Sequence, residues 1–132
     1  MAEAPVDTPL KALIEHAAAF SSRDNQRFAD ILSLPFVHLC QDGEIWRYDD
    51  PSDVDISKQF AKAGIDTENF GRTELDEARL ILDWEELKAF YVKFTRYATE
   101  GGKAGRAEAI WVAIRDSGSW KLKLRIGARR IE

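Results

Sequence analysis

LKAFYVKFTRYATEGGKAGRAEAIWVAIRDSGSWKLKLRI, residues 87–126, decides the fold. Its β-branched and aromatic residues fall in three runs, 87–99, 104–115 and 119–127, parted by Gly101-Gly102 and Ser117-Gly118. Such dipeptides between strand-forming runs mark hairpins, because primed turns need positive φ. With two-residue turns, counting back sets the register. Phe94 faces Ala109, Val92 faces Trp111 and Phe90 faces Ala113, and across the next hairpin Trp111 faces Leu124 and Ala113 faces Leu122. One face then carries Phe90, Val92, Phe94, Ala109, Trp111, Ala113, Trp120, Leu122, Leu124 and Ile126. Large side chains meet small ones, as a packed face requires.

The same pairing puts Tyr91, Lys93, Thr95, Tyr97, Glu108, Ile110, Val112, Ile114, Lys121, Lys123 and Arg125 on the opposite face. A solvated face alternates to polar, yet the middle strand shows three consecutive outward β-branched residues. Together with Tyr91 they form an apolar patch rimmed by charge, the anatomy of an association surface. A two-fold homodimer through Tyr91, Glu108, Ile110, Val112 and Ile114 is expected, with Glu108 pairing to a basic rim residue across it. Shielding of the patch by lysine stems is the alternative.

Upstream, residues 1–8 read as a loose tail and 9–132 as a single domain. Thr8 can cap a helix with Pro9 at its first position. Leu10, Leu13, Ile14, Ala17 and Phe20 share one face of that helix, with His16 at its boundary. Asp24 or Ser22 caps a second, shorter helix with Phe28, Ile31 and Leu32 as its buried edge, ended by Leu34-Pro35. Residues 36–41 and 44–48 form a hairpin around Asp42-Gly43. A two-residue turn puts Leu39 opposite Trp46 and Val37 opposite Tyr48, with His38, Cys40, Ile45 and Arg47 on the other face; a one-residue bulge at Gly43 would exchange the faces. Ser52 opens a third helix with Val54, Ile56, Phe60 and Ala63 as its apolar positions and Gly64 as its stop. Residues 65–73 read as a loop and 74–82 as a strand with Ala78, Leu80 and Leu82 inward. Helices followed by a run of antiparallel strands give an α+β class, with three N-terminal helices against one face of a curved sheet.

The chain has 132 residues, 45% hydrophobic and 32% charged, which suits one core. A net charge of −4 makes no electrostatic case for nucleic acid or an anionic membrane. No signal peptide and no bilayer-length apolar run is visible, and the single cysteine, Cys40, suits a reducing compartment, so a cytoplasmic location is expected. No residues have metal-ligand spacing, and no glycine-rich loop opens a helix, so neither a metal nor a cofactor is expected.

This order of elements resembles the nuclear transport factor 2-like superfamily, in particular its SnoaL-like and ketosteroid-isomerase-like branch. The resemblance rests on Ala-Ala-Ala-Phe-Ser-Ser-Arg-Asp at 17–24, Leu-Pro-Phe-Val-His at 34–38, Val-Lys-Phe-Thr-Arg-Tyr at 92–97 and Arg-Asp-Ser-Gly-Ser-Trp at 115–120. It implies a cystatin-like cone, in which a bent sheet wraps a long helix and leaves a cavity at the open end. Such cavities serve isomerases, dehydratases, cyclases and hydrolases, or no chemistry. The isomerase branch needs an Asp base where this chain has Leu39 or Cys40. An epoxide-hydrolase relay could use Arg96 as its middle member, but its flanking aspartates are absent.

Arg96 is the most informative single residue. The register puts it on the inner face opposite Ala107, where a guanidinium must find a partner or water. It either anchors a ligand carboxylate, phosphate or enolate, or pairs structurally with Asp30, Asp49 or Asp50. His38 is the one candidate base at neutral pH, and with Cys40 forms a weak Cys–His pattern. Trp46, Tyr48, Phe94, Trp111 and Leu124 can line a pocket around Arg96, or be plain core. Trp120 opposite Arg115 reads as a structural cation–π contact.

Two functions follow from these residues. One is a pocket for a small, mostly apolar ligand with an anionic or carbonyl group. Any isomerase, lyase or hydrolase chemistry there would fall to Arg96 and His38. The other is a non-enzymatic dimeric association module whose cavity is filled. A cavity of ~300 Å³ or more lined by Arg96 separates the first from the second.

Overall fold

The computed structural model describes residues 6–132. Thr8 accepts from the Lys11 amide and caps α1 (Pro9–Ser22), and Asp24 caps α2 (Asn25–Asp30). Strand β1 (Leu32–Leu39) turns into β2 (Ile45–Tyr48). A 3-10 turn at Pro51–Asp53, closed by a reciprocal Asp50–Asp53 capping box, leads to α3 (Ile56–Ala63), which ends on the left-handed Gly64. Four long strands follow: β3 (Phe70–Asp83), β4 (Leu87–Ala98), β5 (Lys103–Asp116) and β6 (Ser119–Arg130). They form one six-stranded sheet in the order β2-β1-β6-β5-β4-β3, antiparallel except where β1 joins β6. The class is α+β, with helices packed on one face, as the element order predicts.

Of the expected tail, residues 1–5 lie outside the described residues. Val6 is tied to the start of β6, donating to Ser119 Oγ at 2.9 Å and accepting from the Trp120 amide at 2.9 Å. No helix among the described residues is long and apolar enough to cross a membrane.

Three departures from the expected register position the site. The β4–β5 loop has three residues, Thr99–Gly101, with Gly101 at φ 97°, and β5 carries an extra residue near Ala104. Phe94 therefore faces Ala107, Val92 faces Ala109 and Phe90 faces Trp111. The shift is two residues, so every side chain keeps its predicted face. At the β1–β2 turn the loop is also three residues, ending on Gly43 at φ 90°, and the shift there is one. His38 pairs with Trp46 and Phe36 with Tyr48, so His38 and Cys40 turn inward and Val37 and Leu39 outward.

The third departure is in β6. Ala113 faces Leu122 as expected, but Val112 faces Leu124, leaving Lys123 as a bulged extra residue. Alternation restarts in the opposite phase. Arg125, expected outside, is only 7% exposed, while Ile126, expected in the core, is 37% exposed. A second bulge follows at Ala128, beside Gly127 at φ 96°.

Helix α1 is also rolled from its predicted face. Ala12, Leu13, His16, Ala17 and Ala19 are buried, whereas Leu10 and Ile14 are 47% and 53% exposed. Three alanines let the helix lie close on the sheet, and the roll carries His16 to the centre of its contact. The rest of the core includes Phe28, Phe36, Val54, Ile56, Phe60, Phe70, Val92 and Leu122, all 5% exposed or less.

Gly127 holds the second bulge, and a Cβ there would sit 3.2 Å from the Glu108 carbonyl oxygen at a φ that L-residues avoid. Gly127→Ala should lower the unfolding free energy by about 1–2 kcal/mol with unchanged m-value in urea. An unaltered midpoint would show that the bulge relaxes freely.

Candidate functional site

One row of paired residues crosses the sheet: Trp46, His38, Arg125, Trp111 and Phe90, on β2, β1, β6, β5 and β4. The one-residue shifts at Gly43 and Lys123 bring His38 and Arg125 side by side on the inner face. Arg125 donates through Nη1 to His16 Nε2 at 3.0 Å, and through Nη2 to His38 Nδ1 at 3.2 Å and to Gln59 Oε1. The guanidinium also lies over the rings of Phe28 and Phe36, 5.9 and 5.7 Å from their centroids. Its partners are neutral dipoles and ring faces. No carboxylate among the described residues lies within ion-pair distance of it.

These contacts fix the imidazoles. His38 Nε2–H donates to the Gly127 carbonyl, so Nδ1 is the lone pair that meets Arg125. His16 accepts at Nε2, so its proton sits on Nδ1, which is buried without a partner. Burial and the Arg125 charge push His38 down to about 3 and His16 well below its ordinary value. Burial likewise draws Arg125 down to about 10, which still leaves it charged at pH 7.

In front of this cluster lies a cavity of about 420 Å³. His16, His38, Gln59, Arg125, Phe94 and Trp111 form its inner end, Arg96, Gly105 and Arg130 one wall, and Asp42, Lys62, Asp66 and Asn69 its rim. Arg96 lies 5.3 Å from the Phe94 centroid, is drawn down to about 10 by burial and then by Arg130, and makes no ion pair among the described residues. The alternative partners are engaged elsewhere. Asp30 accepts from Gln26 at 2.7 Å, Asp49 from Arg47 at 2.6 Å, and Asp50 caps the 3-10 turn. None of these three aspartates pairs with Arg96. Four buried side-chain polar atoms among the described residues lack a hydrogen bond: His16 Nδ1, Thr73 Oγ1, Arg96 Nε and Arg125 Nε. All four residues line this cavity.

The rim carboxylates do not neutralise the interior. Asp42 binds Lys62 at 2.7 Å, and Asp66 caps its own turn through the Glu68 amide and Asn69. Cys40 lines the cavity, but burial pushes its thiol up, and no hydrogen bond joins it to His38 among the described residues. The Cys–His pattern thus shows no nucleophile–base contact among the described residues. Both ring nitrogens of His38 are engaged while Arg125 holds Nδ1.

Of the expected lining, Phe94, Arg96 and Trp111 border the cavity, and Trp46, Tyr48 and Leu124 do not. Tyr48 is core, stacked 5.9 Å from Phe36, with its hydroxyl accepting from Gln59 Nε2 at 2.8 Å. Trp46 donates to Glu44 and meets the His38 ring edge-on, 6.1 Å between centroids. Leu124 is carried outside by the Lys123 bulge. Arg125, His16, Gln59 and Arg130 went unpredicted. His16 had a readable signal in the alanines around it; Arg125 had none. Arg115 over Trp120, at 5.2 Å, is the cation–π contact that the strand end predicts.

No protein-family model matches the chain, and no curated protein matches its sequence. Solved structures share its fold. A candidate calcium/calmodulin-dependent protein kinase type II association domain from Thiobacillus denitrificans superposes with a TM-score of 0.74 at 17% identity, covering 98% of this chain and 100% of that one. A protein of unknown function with a cystatin-like fold from Nostoc punctiforme gives 0.70 at 13% identity, over 91% and 87%. A nuclear transport factor 2-like protein from Novosphingobium aromaticivorans gives 0.68 at 10% identity, over 89% and 77%. This chain has the cystatin-like, nuclear transport factor 2-like fold that the resemblance implied; at these identities the likeness is one of fold.

The depressed imidazoles carry a stability consequence. Each binds a proton in the unfolded chain near the ordinary value of 6.5 and refuses it in the folded one. Below that value the unfolded state holds more protons, so stability falls as pH drops from about 6.5 towards about 3. The expected slope is at most about 1.4 kcal/mol per pH unit for each histidine. Urea unfolding at stepped pH checks it, and His38→Gln should roughly halve the slope. A flat profile between pH 6 and pH 5 would refute the neutral-imidazole assignment.

Proposed function

We propose that the chain binds a small, mostly apolar molecule through an anionic or carbonyl group, with Phe94 and Trp111 against its body and Arg125 and Arg96 facing its charge. One observation carries the reading: a buried guanidinium, Arg125, and a half-buried one, Arg96, line one cavity, and neither has a carboxylate partner among the described residues. A buried cation without a counter-ion keeps most of its desolvation cost, and an entering anion recovers it. The 420 Å³ volume is that of a ligand site and exceeds what a filled core leaves. His38 serves the site by orienting Arg125, and any catalysis would be electrostatic stabilisation of a developing oxyanion by the arginines.

A second role, association, is compatible with the first and rests on the other face. The Lys123 bulge adds Leu124 and Ile126 to the outward patch. Two apolar rows then cross four strands on this face, Val37, Leu124, Val112 and Ala89, and Leu39, Ile126, Ile110 and Tyr91, although Val112 and Ala89 are already buried by their neighbours and add little exposed surface. Glu108 is already held within the chain by Tyr91 Oη at 2.6 Å and Arg129 at 2.6 Å, so the apolar rows would make the contact. A self-complementary patch of this kind suits a two-fold homodimer. A similar fold in Thiobacillus denitrificans is described as an association domain, which points the same way.

Arg96→Leu separates a ligand role from a structural one. With no carboxylate to strand, its stability should stay within about 1 kcal/mol of wild type, while affinity for naphthalene-2-sulfonate falls about tenfold or more. Loss of stability by about 3–5 kcal/mol with unchanged affinity would sink the reading. For the dimer, Ile126→Lys alters a site the monomer leaves partly exposed and should give a folded monomer by light scattering. A wild-type chain that stays monomeric at high concentration ends the idea.

A further inference from the structure

Arg125 presents a guanidinium whose gripping edges are already occupied. Of its five N–H bonds, one on Nη1 goes to His16 Nε2, and Nη2 serves both His38 Nδ1 and Gln59 Oε1. A carboxylate grips a guanidinium through one of two forks, Nε–H with Nη2–H or Nη1–H with Nη2–H. Both forks use a hydrogen of Nη2, and both of those are taken. Nε–H is unpartnered but is not a fork by itself. An anion that grips Arg125 through a fork therefore displaces one of the two Nη2 acceptors.

The two differ in what displacement costs. Gln59 is anchored at its other end, where Nε2 donates to Tyr48 Oη at 2.8 Å, so turning its amide away breaks a second bond. His38 is anchored by Nε2–H to the Gly127 carbonyl, a bond that survives when Arg125 lets go. What is released is the bare Nδ1 lone pair, beside a new negative charge in a buried site. That setting favours the imidazolium, which then donates to the anion. Without the anion the surroundings oppose it. His38 is faced by Arg125 from β6, Lys62 from α3 and His16 from α1. Arg96 of β4 acts on Arg125, as do Tyr48 of β2 and Cys40 just past β1, whose hydroxyl and thiol are both pushed up and so stay neutral.

We propose that the cavity takes up its anion together with a proton: the anionic group replaces His38 as acceptor on Arg125 Nη2, and His38 Nδ1 binds a proton from solvent as it does so. This rests on the reading of the cavity as an anion site and narrows the ligand to an organic anion taken up together with one proton. By reciprocity, acidification tightens binding and the anion raises proton affinity at His38.

Naphthalene-2-sulfonate is the probe, because it stays ionised at every working pH and leaves only the protein to titrate. Titration calorimetry of the full chain in two buffers of different ionisation heat should show nearly one proton taken up per probe at about pH 6, with affinity rising up to about tenfold per pH unit on acidification. The chain has two histidines, so their C2–H resonances can be followed directly. Neither should titrate above about pH 5 in the free protein, and one should do so near neutrality with the probe bound. His38→Gln keeps an acceptor for Arg125 but cannot take the proton, so uptake should vanish. Binding that depends on Arg125, tested by Arg125→Met, but brings no proton overturns the linkage and leaves the anion site standing; so does uptake that persists in His38→Gln. Should His38→Gln fail to fold, the wild-type resonances decide, and two silent imidazoles with probe bound overturn the linkage. Absent binding, or binding indifferent to Arg125→Met, removes the anion site and the linkage with it.

Discussion

The structure turns on one residue of backbone, the bulge at Lys123 in β6. Up to Leu122 the strand alternates as its sequence suggests, and beyond it the phase is reversed. Regular pairing would bury Leu124 and Ile126, a gain of about 1.5–3 kcal/mol each, and leave Arg125 in water. The chain does the opposite, and two features follow together. Arg125 enters the space beneath α1, and two large apolar side chains join the outer face of the sheet. The cationic cavity and the outward patch are therefore linked through backbone geometry. Covering the patch with a second copy would return the apolar burial that the bulge gives up.

Inside, the cost of a buried guanidinium is offset in part without cancelling its charge. Several kcal/mol of lost hydration are set against three hydrogen bonds to neutral acceptors, each worth about 1.5–3 kcal/mol for a charged donor, and against two aromatic faces. A carboxylate would have been the simpler partner, but it would have extinguished the field in the cavity. Imidazoles held neutral by burial satisfy the donors and leave the charge in place. Arg96 and Arg130 add to it, and the nearest acids at the rim are bound to Lys62 or to their own turn. A chain with net charge −4 thus encloses a positive interior, and low-dielectric walls strengthen its pull on an anion.

Much of the fold was legible because it rests on local signals that act independently. Thr8-Pro9 and Asp24 start helices, Gly64 stops one, and the glycines at 101 and 118 mark hairpins whose strands alternate as expected next to the turns. Even the wrong register between β4 and β5 did no harm, since a shift of two leaves each side chain on its face. The roll of α1 was misread for a different reason. Leu10 and Ile14 look like core by hydrophobicity, yet alanines 12, 17 and 19 set how near the helix can come. Close approach won over side-chain size, and it brought His16 within reach of Arg125.

The site was less legible because its two central residues are placed by odd shifts. A three-residue loop at Gly43 turns His38 inward, and the bulge at Lys123 turns Arg125 inward. Alternation has a period of two, so it cannot record a displacement of one; each such step exchanges the faces and leaves the pattern equally regular. Had only one of these steps occurred, His38 and Arg125 would lie on opposite faces of the sheet and could not touch. With neither, both would be outside. That two separate irregularities, on strands far apart in sequence, meet in one hydrogen bond argues that the contact, rather than the alternation, is the feature this part of the fold is built to hold.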